Sequence, residues 1–276
     1  MDNPWLHRYA VLLALYALLV ILLGAFLTTN LSGTPLNSGI FSEATHRSAA
    51  IGLIVLDLGL AVRLSVVDRR KWLGRLGWIA WNSLILEALL GESKAFRSLP
   101  IAPGILHACL AQLFFCAVVA IAVFTSKGWN QGPEPVQDYG WPSLRSLAIT
   151  VPVLVFSQVF LGAAYRHQAI GVLWHLLGAM IVSLMVLIVC AFAMQQFPNH
   201  RSLKPTAVTL ISLTGAQVFL GLGVYTLRIE TTATTMPVML TILAHIATGF
   251  LTFAASVVLG IQIRRNVHPR VDQPAA

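Results

Sequence analysis

Long apolar runs, broken at near-regular intervals by short polar connections, dominate this 276-residue chain. Within the runs the apolar residues are continuous, without the alternation that transmembrane barrel strands require. Each run is close to the about 20 residues that a helix needs to cross the hydrocarbon core. The pattern predicts eight transmembrane helices, near 9–28, 44–66, 74–92, 103–125, 144–164, 171–194, 205–227 and 237–262. The fold class that follows is all-α, a polytopic membrane protein with short connections.

The spans repeat. Ser157-Gln158-Val159-Phe160-Leu161-Gly162 near the end of the fifth recurs as Ala216-Gln217-Val218-Phe219-Leu220-Gly221 in the seventh. Weaker echoes stand at Leu23-Gly24 in the first and Glu87-Ala88-Leu89-Leu90-Gly91 in the third. The unit is a helix pair: an odd helix ending near a glycine, then an even helix opening with histidine. Two units make a four-helix half, so residues 1–134 and 135–276 are read as two halves. Each half has an even number of spans, and the two therefore share one orientation as parallel repeats. The architecture expected is two four-helix bundles, a form that holds cofactors between facing helices.

Composition removes the soluble alternatives. Apolar residues make up 57% of the chain and charged residues only 10%, with mean hydropathy +0.78; a soluble domain carries about 25% charge. Basic residues are uneven across the two faces. Arg8, Arg63, Arg69, Arg70, Lys71, Arg75, Lys127, Arg145, Arg201, Lys204, Arg264, Arg265 and Arg270 fall at one face. Only Arg47, Lys94, Arg97, Arg166 and Arg228 fall at the other. The bias predicts both termini in the cytoplasm. It also attributes the net charge of +8 to topology and anionic lipid rather than nucleic acid. The N-terminus has no Arg/Ser-rich transit pattern, which favours a bacterial inner membrane with the first span kept as an anchor. Cys109, Cys116 and Cys190 all fall inside spans and are read as small packing residues rather than disulfide partners.

Four histidines, His46, His107, His175 and His245, open the even spans at one face. A small residue follows each at i+4: Ala50, Ala111, Ala179 and Gly249. A lone membrane histidine is commonly a hydrogen-bonded interhelical residue, but an ionisable group recurring at four equivalent places reads as functional. Tetrahedral zinc would need further ligands at each site, and each half supplies two. Axial ligation of an iron porphyrin needs only two, and a small residue on the same helical face would leave room for the macrocycle. Heme is therefore the leading candidate. The repeated glycines serve either close helix packing or space for a ring, and Gln158 and Gln217 either packing or the orientation of a polar group.

His46 differs from the other three. It lies in Glu43-Ala44-Thr45-His46-Arg47 behind the expected N-cap Ser42. Glu43 and His46 share a face at i and i+3, which would place a carboxylate at the rim of a bound ring. Glu43 can equally pair with Arg47 at i+4. No such carboxylate precedes the other three, so the N-terminal half is expected to perform chemistry and the C-terminal half to hold a permanent cofactor.

With these features the chain resembles the heme A synthase family. The carrying residues are Glu43-x-x-His46-Arg47, His107, Gln158-Val159-Phe160-Leu161-Gly162 with Arg166-His167, His175 and His245. The resemblance spans the chain from the first span to the last. It implies a C-terminal half binding heme b through His175 and His245, and an N-terminal half holding heme O as substrate through His46 and His107. Glu43 would be the catalytic carboxylate, stabilising developing positive charge, positioning water or acting as a base. The implied activity is oxidation of the C8 methyl of heme O to a formyl group, giving heme A for cytochrome oxidase. A heme O synthase and the receiving oxidase are the implied partners, and association with a second copy of the chain is left open. Arg47, Arg166 and His167, on the outer face, are candidates for the heme propionates, because arginine binds carboxylates through a two-pronged fork. They could equally be loop charges against lipid headgroups.

The chain departs from the family in places. The cysteine pair that many bacterial members carry in the first outer loop is missing from residues 30–42. Glu87 stands where the repeat predicts glutamine, and is expected to be solvated or paired. Asp57 lies deep in the second span and is expected to pair with another polar group, with proton relay as the alternative. His7, His200 and His268 are expected to face solvent on the cytoplasmic side. The competing function is a diheme b-type cytochrome passing electrons between quinol and another carrier. A transporter built on parallel repeats lacks the broken helices with converging polar groups that this function requires, with Pro152 the main exception. An assembly subunit with relic histidines is the fourth reading.

Overall fold

The computed structural model describes residues 3–29, 42–92, 101–139, 141–230 and 235–269. Among them nine helices carry the chain: α1 (Pro4–Thr29), α2 (Glu43–Val67), α3 (Lys71–Glu92), α4 (Ala102–Thr125), the single turn α5 (Lys127–Asn130), α6 (Leu144–Arg166), α7 (Val172–Gln196), α8 (Leu203–Glu230) and α9 (Met236–Asn266). Two short strands, β1 (Val136–Gln137) and β2 (Val267–His268), pair in parallel. Each predicted span falls on one long helix. The helices run past the apolar runs where caps allow. The Asn3 side chain accepts the Leu6 amide at 3.2 Å ahead of Pro4 in the first turn, where a missing N–H has no consequence.

Seven of these helices are long and apolar enough to cross a membrane, so the chain is an all-α, polytopic membrane protein. The eighth long helix, α3, has the length, 22 residues or about 33 Å. With Arg75, Asn82 and Glu87 along it, α3 falls short in apolarity. Residues 30–41 and 93–100, with Lys94 and Arg97, and Arg270 lie outside the described residues.

Two large buried clusters divide the interior, with a third, small one of Ile105, Cys109, Ala163 and Ala164 between α4 and α6. One gathers α1–α4 around Leu13, Leu60, Leu73 and Phe114; the other gathers α6–α9 around Leu144, Val186, Leu210 and Leu259. The clusters share a seam of α4 and α9. Phe250 and Ala254 of α9 belong to the first cluster, Cys116 of α4 belongs to the second, and Phe115 meets Phe250 edge to face at 5.8 Å. All three cysteines are buried and unbridged, as packing residues would be.

The 134/135 boundary runs through a strap fastened by the end of α9. The Glu134 amide donates to Asn266 Oδ1 at 2.8 Å, Asp138 N to His268 O at 2.9 Å and Arg145 to Val267 O at 2.7 Å. Arg265 stacks over the Trp129 ring at 3.8 Å. His200 sits inside this strap and corrects the expectation of a solvent-facing ring. It is buried, with Nε2 3.0 Å from Glu134 O and Nδ1 taking the Ser202 and Leu203 amides at 3.1 and 3.2 Å. An imidazole thus caps α8. His7 is half-buried with Nδ1 2.9 Å from Ala122 O, whereas His268 is exposed.

Pro152 inside α6 lacks the N–H that the Ala148 carbonyl would accept four residues earlier. Gly260 of α9 packs on that freed carbonyl, where an added Cβ would lie 2.5 Å from Ala148 O. Backbone cannot yield as a side chain can. Gly260→Ala is therefore expected to separate α6 from α9 and destabilise the C-terminal half by about 1–3 kcal/mol, seen as a lower unfolding midpoint in detergent; an unchanged midpoint would refute the close approach.

Candidate functional site

One contact is made four times. Each of the four histidines lies against a glycine of the preceding long helix: His46 on Gly24, His107 on Gly91, His175 on Gly162 and His245 on Gly221. A Cβ on those glycines would come within 2.8, 3.1, 3.0 and 3.1 Å of the ring Cε1. A side chain at these positions would press on the imidazole, most of all at Gly24. These are the glycines of the sequence repeat, and their role is to seat the rings.

Four residues before each glycine, on the same helical face, stands the group that partners the ring. Gln158 Nε2 lies 3.0 Å from His175 Nδ1 and donates to the His175 carbonyl at 2.9 Å. Gln217 Nε2 lies 3.3 Å from His245 Nε2. Glu87 does the same on α3, with Oε1 3.3 Å from His107 Nε2 and its carbonyl 3.1 Å from His107 Nδ1. In α1 the equivalent residue is Val20, whose main chain faces His46. Two glycines after the histidines make room for these partners: the Gln158 amide fills the space over Gly178, three residues after His175, and the Gln217 amide that over Gly249. The clearance expected beside a macrocycle is thus taken up, at Gly249, by the amide that holds the ring.

The structure brings the histidines together in pairs. The rings of His175 and His245 are 6.4 Å apart, centre to centre, at an interplanar angle of 83°. The Tyr165 ring lies nearly parallel to His175, at 6.3 Å between centres and 12° between planes. His46 and His107 are within electrostatic reach of one another in the N-terminal half. The Nδ1 atoms of His46 and His245 are buried with no hydrogen-bond partner.

The charged candidates occupy the same end of the bundle. Ser42 caps α2 by accepting the Thr45 amide at 3.2 Å. Glu43 takes the Arg47 guanidinium at 2.6 Å while remaining 73% exposed, so the i,i+4 pairing is present one turn from His46. Arg166 reaches across to the other half. Its guanidinium donates to the Ala25 carbonyl at 3.0 Å and the Thr28 and Thr29 hydroxyls at 2.5 and 2.9 Å. That places a cation on the negative end of the α1 dipole. His167 follows and packs on Gly104 at the start of α4. Burial foremost, then the neighbouring Arg166 and His107 charges, holds its pKa below the ordinary histidine value.

Deeper in the N-terminal half, Asp57 is wholly buried and neither carboxylate oxygen has a hydrogen-bond partner among the described residues. The polar partner expected for it is not there. Gly77 meets Ala61 across the α2–α3 contact, so one turn further along each helix Asp57 is level with Trp81. The Trp81 Nε1 is likewise buried and unpartnered.

Sequence reasoning missed the link between Glu87 and His107, although its signal was legible: Glu87 precedes Gly91 as Gln158 precedes Gly162. It missed the Arg166 clamp entirely, because the partners lie 137 or more residues away. In comparisons with known proteins, no family model and no curated sequence matches the chain.

The lowered pKa of His167 has a direct consequence. The folded state binds fewer protons than the unfolded chain, so this residue favours folding above its unfolded pKa, about 6.5, and opposes it as pH falls further. Nitrogen-15 histidine spectra should show His167 still neutral where free histidine has half titrated. Arg166→Gln should restore only part of the difference, because burial is the larger cause; full restoration would contradict that ranking.

Proposed function

We propose that the chain is a heme-oxidising membrane enzyme of the heme A synthase type. In this reading α3 is an eighth span. It follows α2 after three residues, 68–70, yet its far end carries Glu87 and Gly91 against His107 at the start of α4. The eight spans form two parallel-repeat halves in a bacterial inner membrane, with both termini cytoplasmic. The fourfold histidine–glycine contact supports the repeat.

The observation that carries the reading is the His175–His245 pair. Their ring centres stand 6.4 Å apart, which leaves room for one metal ion that both imidazoles would hold. The orphaned Nδ1 of His245 and of His46 and the glycine seats fit residues that complete their bonding with a ligand. His175 and His245 would hold heme b, and His46 and His107 the substrate heme O. Heme b, when bound, supplies one-electron redox chemistry.

The chain's own residues do the rest. Gln158 and Gln217 fix ring orientation, and ligation through Nε2 of His175 requires its Nδ1 to carry a proton, which the Gln158 amide accepts by turning. Such outer partners tune ligand basicity as well as geometry. Glu87 gives the N-terminal half a carboxylate where the C-terminal half has amides, an asymmetry suited to one reactive and one permanent site. Glu43, one turn from His46, would aim its charge at the substrate rim. One observation favours the alternative of a diheme electron-transfer cytochrome: Glu43 is already paired with Arg47.

The purified protein's visible spectrum and extracted hemes separate the readings. Heme b together with heme O or A is expected; heme b in both halves would establish the cytochrome, and absence of heme would reject both. Glu43→Gln should keep heme and lose formyl product, and full heme A production would remove Glu43 from the mechanism. Gln158→Leu should weaken heme b retention by about 10–100-fold while leaving the protein folded; unchanged retention would deny Gln158 its role.

A further inference from the structure

We propose that the cavity between the end of α2 and the start of α3 binds the phosphate headgroup of an anionic phospholipid. This site lies at the opposite end of α2 and α3 from His46 and Glu87, and it stands independently of the heme reading. The cavity measures about 210 Å³. Lys71, Gly74, Arg75 and Trp78 line it, at i, i+3, i+4 and i+7, so one face of α3 forms its wall. Ser65 of α2 lies opposite.

Its charge is unbalanced, although Asp68 also lines it. Arg70 occupies both Asp68 oxygens, through Nε at 2.9 Å and a terminal nitrogen at 2.7 Å, while its main-chain N–H donates to the same carboxylate at 2.9 Å. That hydrogen bonding, foremost, holds the Asp68 carboxyl below the ordinary range. The remaining Arg70 nitrogen donates to the Phe124 carbonyl at 2.9 Å. The pair is therefore internally neutral and fully engaged. Lys71 and Arg75 have no hydrogen bond or ion pair with the described residues. Two free cations thus border a cavity whose only carboxylate is already taken.

The walls select a lipid over a free anion. Trp78 is anchored by Nε1 on Ser65 Oγ at 3.0 Å and its ring is part exposed, and the chain neighbours of these two residues, Val66 and Ile79, expose their side chains. Cations therefore sit directly above an apolar surface, as glycerol and acyl chains require, at the depth where interfacial tryptophans gather. Basic pockets between helices on the positive face are suited to anionic headgroups.

Native mass spectrometry of the delipidated full chain in detergent tests this, with phosphatidylglycerol and phosphatidylcholine as probes. Retained phosphatidylglycerol, with little phosphatidylcholine, is expected. Lys71→Gln with Arg75→Gln should weaken retention by about thirtyfold, whereas Lys204→Gln, on the same basic face, should not change it. Equal retention of the two lipids, an unaffected double variant, or an equal loss in Lys204→Gln would overturn the proposal. Displacement of phosphatidylglycerol by millimolar inorganic phosphate would also overturn it, because the site would then take free anions.

Discussion

A polar ring inside a helical bundle must find partners without water, and here that requirement is met in part, by bringing two backbones close enough for one helix to serve the other's histidine, with Nδ1 of His46 and of His245 left over. An unpartnered polar group in hydrocarbon costs several kcal/mol. The seat for each ring is a glycine, and the partner stands one turn away on the same face. Substituting the glycine would press on the ring that the partner holds, so seat and partner are coupled.

Much of this was legible in the chain. The long helices were, because each buries its backbone polarity internally and leaves a continuous apolar run. Their ends were less so: α9 continues through Gln262, Arg264 and Arg265 to Asn266, where side-chain contacts to the strap replace hydrophobicity as the support. The repeat of Gln-Val-Phe-Leu-Gly was visible, and so was the place of Glu87 within it. What the glycines were for was not visible, since that depends on which faces meet. The small residues after the histidines suggested room for a macrocycle, and at Gly249 the structure fills that room with an amide. His200 looked like a solvent-facing ring, and only the fold reveals the backbone amides it accepts.

The site differs between the halves in a chemically ordered way. Amides hold His175 and His245; a carboxylate holds His107; the main chain alone faces His46. Neutral partners suit a permanent electron carrier, whose ligands should not change state. An acidic partner at one ring and a bare nitrogen at the other suit a site that must admit, transform and release its ligand. Arg166 ties the end of α1 to the end of α6, so the two halves are joined where both proposed sites lie.

The reading turns on whether His175 and His245 grip one iron. Their planes are nearly perpendicular, and two crossed imidazoles on ferric heme give a highly anisotropic low-spin electron paramagnetic resonance signal, distinct from the rhombic signal of parallel rings. The oxidised protein, loaded with heme b alone and free of heme O, should show that anisotropic signal, and His245→Ala should abolish it. A rhombic or high-spin signal alone, or an anisotropic signal that survives the loss of His245, would contradict the pairing.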